Sequence, residues 1–89
     1  MNIGERLGKT LRGVNISPRN LSALTKVHYT TIYKLIAQRG KTYPLVEQTL
    51  SDALDKIDRL KADGLLPFME NLSDKEKTDR LADLLATND

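Results

Sequence analysis

The chain has 89 residues, a net charge of +2, no cysteine and one histidine. This length allows one small domain, and the composition excludes a disulfide framework, thiolate metal sites and a multi-histidine metal site. No apolar run approaches the roughly 20 residues that a membrane span requires, and the first residues lack a hydrophobic signal segment. We therefore expect a soluble cytoplasmic protein that does not bind a membrane.

The net charge conceals an asymmetry between the two halves of the chain. Residues 1–43 contain eight Lys or Arg and one acidic residue, a net charge of +7, whereas residues 44–89 carry a net charge of −5. A basic front and an acidic back suit a nucleic-acid binder, because one face attracts phosphates and the other is repelled by them. The alternative is an ordinary solvated surface on which the charges cluster by chance.

The first helix is predicted from Ile3 to Arg12, because apolar residues recur there at every fourth position. Gly13 is the predicted stop, in the left-handed conformation that ends many helices. Gly4 and Gly8 lie four apart on this helix. They indicate either a close approach of another helix or simple tolerance of glycine.

Residues Ser17 to Gln38 have the pattern of two short helices joined by a tight turn. Ser17 is a favourable N-cap, and Pro18 suits the first helical position, where its missing N–H costs nothing. Apolar residues recur at helical spacing on both sides of the turn, at Leu21, Leu24, Ile32, Leu35 and Ile36. We expect Val27 to be buried in the corner between the two helices.

This stretch resembles the helix-turn-helix of the lambda-repressor-like family of phage repressors, the Xre/Cro group. The resemblance is carried by Leu21, Leu24, Val27, Thr31, Ile32 and Leu35, followed by the basic stretch Arg39-Gly40-Lys41. In its order of helices it covers Ile3 to Leu60, and it implies a DNA-binding domain. The family often has Gly where Lys26 stands, so we expect Lys26 at positive φ, at a cost of about 1 kcal/mol.

The second helix of the motif presents hydrogen-bonding groups and methyl groups between its apolar positions, as a helix that reads base edges in a major groove must. The residues expected to contact bases are His28, Tyr29, Thr30 and Lys34. For Tyr29, Thr30 and Lys34 this role is implied by the resemblance, and His28 stands at the start of the helix.

The residues expected to contact phosphates are Ser17, Arg19, Tyr33, Arg39 and Lys41. Ser17 and Arg19 stand at the positive end of the first helix of the motif, which suits a phosphate. For each residue taken alone, the alternative is an exposed polar side chain without a DNA partner.

A longer helix is predicted from Pro44 to about Asp63, with Gly64 at its end. Its apolar residues form a short heptad seam at Val46, Leu50, Ala53, Ile57 and Leu60. An apolar segment follows, and a capping box from Ser73 to Glu76 opens a last helix that ends near Ala86.

Residues 64–89 carry more apolar side chains than a minimal helix-turn-helix domain needs. These are Leu65, Leu66, Phe68, Met69, Leu72, Leu81, Leu84 and Leu85. We expect them to form a homodimer interface, because a two-fold dimer doubles the DNA contacts and reads a palindrome with half-sites about 34 Å apart. The alternative is intramolecular: the last helix folds back and completes the core of one chain.

The sequence thus predicts an all-α protein of about five helices, with a DNA-binding domain at residues 1–63 and a C-terminal helical extension at residues 64–89. The predicted function is sequence-specific binding of double-stranded DNA by a small phage-type or mobile-element-type repressor that occludes a promoter. No phosphate loop, nucleophile–base pair or metal-ligand cluster is present, so we expect no enzyme, cofactor or metal. Two alternatives stay open: a protein-interaction module, such as an antirepressor or adaptor that binds a protein partner, and a non-specific architectural DNA binder.

Overall fold

A computed structural model describes residues 2–39 and 41–87 of the chain, and over these residues the fold is all-α. Gly40, in the middle of the predicted basic stretch, lies outside the described residues. The helices are α1 (Ile3–Gly13), α2 (Pro18–Thr25), α3 (Tyr29–Ile36), α4 (Pro44–Ala62) and α5 (Asp74–Thr87). Within the described ranges, no helix is long and apolar enough to cross a membrane.

Four of these helices end in the same way, with one residue in the left-handed conformation; the one after α2 belongs to the turn into α3. After α4 this residue is Gly64 at φ 80°, as predicted, and after α3 it is Gln38 at φ 62°. The prediction for α1 is wrong: Gly13 is still helical, and Asn15 takes the left-handed conformation at φ 56°. The N–H of Ile16 then reaches back to the carbonyl of Leu11 (3.1 Å), which satisfies a carbonyl that the helix end leaves free.

The turn between α2 and α3 has the predicted geometry. Lys26 lies at φ 67°, and its N–H donates to the carbonyl of Ser22 (2.9 Å). Val27 packs against the core from this turn, as predicted, but it is half-buried rather than buried. The turn joins α2 to α3 through three residues, and the two helices remain in contact.

Helix α1 packs on α3 and α4, and a glycine permits the contact with α3. A Cβ atom built at Gly4 would overlap the carbonyl oxygen of Leu35. At Gly8 the nearest atom would be Cγ2 of Ile36 at 3.5 Å, an ordinary van der Waals contact. The close approach predicted from the two glycines is therefore real at Gly4, whereas Gly8 is simply tolerated.

Helix α4 supplies a row of fully buried side chains to the core: Leu50, Leu54, Ile57 and Leu60. The buried face of α4 lies part of a turn away from the predicted seam. Leu54, beside the seam, is fully buried, whereas the seam residues Val46 and Ala53 are only half-buried. Helix α4 contacts both α1 and α2, so it joins the first helix to the helix-turn-helix.

The C-terminal extension folds back on α2. Leu66 and Leu81 are 4% and 0% exposed and belong to the same apolar cluster as the core residues of the first four helices. The side chain of Asn20, fully buried on α2, donates to the carbonyl of Asp74 (2.8 Å) and to Oγ1 of Thr78 (2.9 Å). The docking of α5 thus combines apolar burial with hydrogen bonds from the buried Asn20 side chain.

Candidate nucleic-acid interface

Helix α3 separates its residues cleanly into a buried and an outward set. Ile32 and Leu35 are buried against the core, which fixes the rotation of the helix about its axis. Thr30, Tyr33 and Lys34 are consequently exposed on the opposite side. Three of the predicted DNA contacts therefore lie on one accessible helix face.

His28 is the N-cap of α3 and caps the helix through Nδ1 of its ring. The backbone N–H of Thr30 donates to Nδ1 of His28 (3.2 Å), and Oγ1 of Thr30 lies 2.7 Å from the same nitrogen. Because a backbone N–H is always a donor, Nδ1 must be an acceptor and the ring proton of the neutral imidazole lies on Nε2. The exposed His28 ring thus offers an N–H donor of the kind that guanine and thymine oxygens accept.

Tyr29 lies in a cluster of rings at the start of α3. Its ring stacks on His28, with centroids 4.7 Å apart and planes at 25°, and Tyr33 meets its edge at 6.2 Å and 88°. The guanidinium carbon of Arg19, on α2, lies 4.3 Å from the Tyr29 centroid. Arg19, predicted to contact a phosphate, is therefore in direct contact with Tyr29, predicted to contact a base.

The two predicted phosphate ligands at the N-terminus of α2 differ in accessibility. The hydroxyl of Ser17 is engaged in the helix cap: it donates to Oδ1 of Asn20 (3.1 Å) and accepts from the Asn20 N–H (3.4 Å). Ser17 is also half-buried, whereas Arg19 is exposed. The geometry thus leaves Arg19 as the better placed of the two for a phosphate.

A basic groove of about 540 Å³ lies beside α3, between the turn before the helix and the segment that leads to α4. Four cationic side chains line it: Lys26, Lys34, Arg39 and Lys41. Among the described residues that line the groove, none is acidic. Tyr43, 73% exposed, stands at its edge with its phenol group accessible. A concave site lined by four positive charges attracts a polyanion such as a phosphate backbone.

Arg6, a cation of the basic half, forms ion pairs within the protein. Arg6 on α1 forms ion pairs with Asp55 and Asp58 on α4 and donates to Oγ of Ser51 (3.1 Å). The hydrogen bond to Asp55 raises the pKa of Arg6, with burial acting in the opposite direction. Arg6 therefore stays charged at any working pH and joins α1 to α4, on the side of α1 that faces α4.

The residues predicted for a dimer interface do not share one environment. Leu66 and Leu81 lie in the core of the single chain, so in this fold they cannot contact a second chain. Phe68, Leu72, Leu84 and Leu85 are half-buried. Leu65 and Met69 remain available, at 41% and 97% exposed. The burial of Leu66 and Leu81 in this fold leaves the other six residues as candidates for contact with a partner, and the dimer interface itself stays a prediction.

Sequence reasoning missed two residues of this surface and one buried residue of α2. Lys26 and Tyr43 line the basic groove, but they come from segments on either side of α3, and no local pattern joins them. Asn20 is the other omission; its position three residues after Ser17 was a detectable signal, since this spacing is that of a reciprocal cap. Among the described residues, no group of three or more His, Cys, Asp or Glu side chains is placed to hold a metal ion.

Comparison with known proteins adds no family to this description. No family model matches the chain, and neither curated proteins nor solved structures give a significant match.

Proposed function

We propose that this protein binds double-stranded DNA in a sequence-specific manner and regulates transcription as a small repressor of the Xre/Cro type. The bound protein would cover a promoter and exclude polymerase. The observation that supports this best is the juxtaposition of the outward face of α3 with the basic groove beside it. Polar groups that suit base edges and cations that suit phosphates occur together on one surface.

The proposed reading of bases uses the donors and methyl groups of α3. Lys34 donates to O6 and N7 of a guanine, and the methyl group of Thr30 contacts a thymine methyl. The Nε2–H of His28 and the hydroxyl of Tyr29 are further polar groups at the start of the helix. The phosphate backbone on one side is held by Arg19, and on the other by Lys26, Arg39 and Lys41 of the basic groove.

We also propose that two copies bind a palindromic operator. One α3 reaches few base pairs, and a two-fold dimer doubles the contacts. The exposed apolar residues of the C-terminal half, Leu65 and Met69, are the contacts proposed between the copies. A double variant, Leu65→Asp with Met69→Asp, leaves the core intact and is expected to sediment as a monomer where the wild type sediments as a dimer. A monomeric wild type, both free and on DNA, would refute this proposal.

Salt dependence of binding to random duplex DNA tests the function directly. With three or four phosphate contacts in each chain, log K is expected to fall against log[salt] with a slope of about −3 to −4 per chain. Arg39→Ala is expected to flatten the slope by about one unit. Arg59→Ala is the matched control, because it removes the same charge from the exposed side of α4.

The possible results separate the proposal from its two rivals. Absence of binding at low salt would contradict any DNA-binding function and favour a protein-interaction module. Binding with a steep slope, but with equal affinity for every sequence, would favour an architectural protein. Equal effects of Arg39→Ala and Arg59→Ala would contradict the assignment of the basic groove as the phosphate site.

A further inference from the structure

Arg19 and Tyr29 belong to different helices but form one unit. Arg19 is the second residue of α2, and Tyr29 is the first residue of α3. The guanidinium carbon lies 4.3 Å from the centroid of the Tyr29 ring, the distance of a close cation–π contact. The pair spans the helix-turn-helix from its phosphate-facing end to its base-facing end.

An arginine side chain can contact an aromatic ring and a phosphate at the same time. A guanidinium group that lies over an aromatic ring uses its flat face for that contact and keeps its N–H donors free at its edge. Those donors suit the paired oxygens of a phosphate. Lysine cannot combine the two roles, because its ammonium group is a compact point charge without a flat face.

The ring of Tyr29 has few alternative positions. His28 stacks on it at 4.7 Å, Tyr33 meets its edge at 6.2 Å, and Arg19 lies over it. Each contact limits the rotation of the side chain and hence the place of its hydroxyl. Of the three contacts, only that of Arg19 comes from outside α3 and its cap residue.

We propose that Arg19 is a positioning residue for base recognition, and this inference rests on the proposed function. When Arg19 binds a backbone phosphate, its guanidinium is fixed, and the Tyr29 ring beneath it is fixed with it. Contact with the backbone and preference for one base are thereby coupled. An arginine that only bound a phosphate would raise the affinity for DNA equally for every sequence.

The test compares binding-site preferences selected from a randomised duplex pool. Tyr29→Leu identifies the base position that Tyr29 reads, as the position where its preference is lost. Arg19→Lys keeps the charge, so we expect an unchanged salt slope but a two- to fivefold weaker preference at that same position, about the size that an exposed cation–π contact supports. Arg59→Lys is the matched control, because Arg59 is exposed on α4 and does not line the basic groove, and we expect it to leave every preference unchanged.

A double variant separates coupling from two independent effects. In the Tyr29→Leu background, Arg19→Lys is expected to cause no further loss of preference at the Tyr29 position. An equal loss in both backgrounds would overturn the inference, as would an unchanged preference in Arg19→Lys or no effect of Tyr29→Leu at any position. Thermal unfolding of each variant checks that the fold is intact; Arg19 is exposed, so we expect no change in Tm. If the wild type selects no sequence at all, the proposed function itself fails, and the inference fails with it.

Discussion

Substitution of Asn20 by alanine tests the docking of the C-terminal helix. The Asn20 side chain is fully buried, and its amide nitrogen donates to the carbonyl of Asp74 and to Oγ1 of Thr78. Its Oδ1 accepts from the N–H of Ser17 (2.8 Å), which closes the cap of α2. Alanine removes all of these bonds and leaves Ser17, Asp74 and Thr78 without this partner.

The magnitude follows from these bonds. Each of the two bonds between α2 and α5 contributes about 1 kcal/mol net, and the cap contributes about 1 kcal/mol more. We therefore expect Asn20→Ala to lower the free energy of unfolding by about 3 kcal/mol. For a domain of this size, that corresponds to a fall in Tm of about 12–24 °C.

Urea and thermal unfolding, followed by circular dichroism, measure this loss. Asn71→Ala is the matched control, since Asn71 is exposed, and we expect a change within about 0.5 kcal/mol. Thr78→Val removes a single partner and is expected to cost about 1 kcal/mol alone, but little in the Asn20→Ala background. If Asn20→Ala costs no more than Asn71→Ala, α5 does not dock on α2 as described.

The remaining predictions concern the turn, the contact of α1 with α3, and the reading of bases. Val27→Asp is expected to cost about 2 kcal/mol in urea unfolding, because Val27 is half-buried; an unchanged midpoint would contradict its packing in the turn. Gly4→Ala is expected to destabilise by about 2 kcal/mol through overlap with the α3 backbone, whereas Gly8→Ala stabilises by about 0.5–1 kcal/mol; effects of the same sign would refute the close approach. Lys34→Ala is expected to relax preference at one base position by about 1–3 kcal/mol, and Lys41→Ala to weaken all sequences alike; equal loss on every sequence for Lys34→Ala would exclude base reading.

The helices themselves were predictable because their signals are local. Ser17 and Pro18 mark the start of α2, Pro44 and Gly64 bound α4, and apolar spacing identifies the inward face of each helix. Lys26 at φ 67° was also predictable, because the resemblance places a turn residue there. Such features depend on a few neighbouring residues and need no knowledge of the tertiary structure.

What the sequence did not predict depends on contacts between distant residues. The partners of Asn20 on α5, Asp74 and Thr78, lie 54 and 58 positions away, and no local pattern connects them. An apolar stripe such as that of Leu81 shows that a helix face is buried, but not whether the core it enters belongs to its own chain or to another. The basic groove combines three segments around α3 and exists only once the chain has folded.

Selection of binding sites from a randomised duplex pool tests the central claim most directly, with wild type and Lys34→Ala compared at one salt concentration. We expect the wild type to enrich a single motif, and Lys34→Ala to enrich the same motif with one base position relaxed. Failure of the wild type to enrich any sequence would contradict the claim that α3 reads double-stranded DNA.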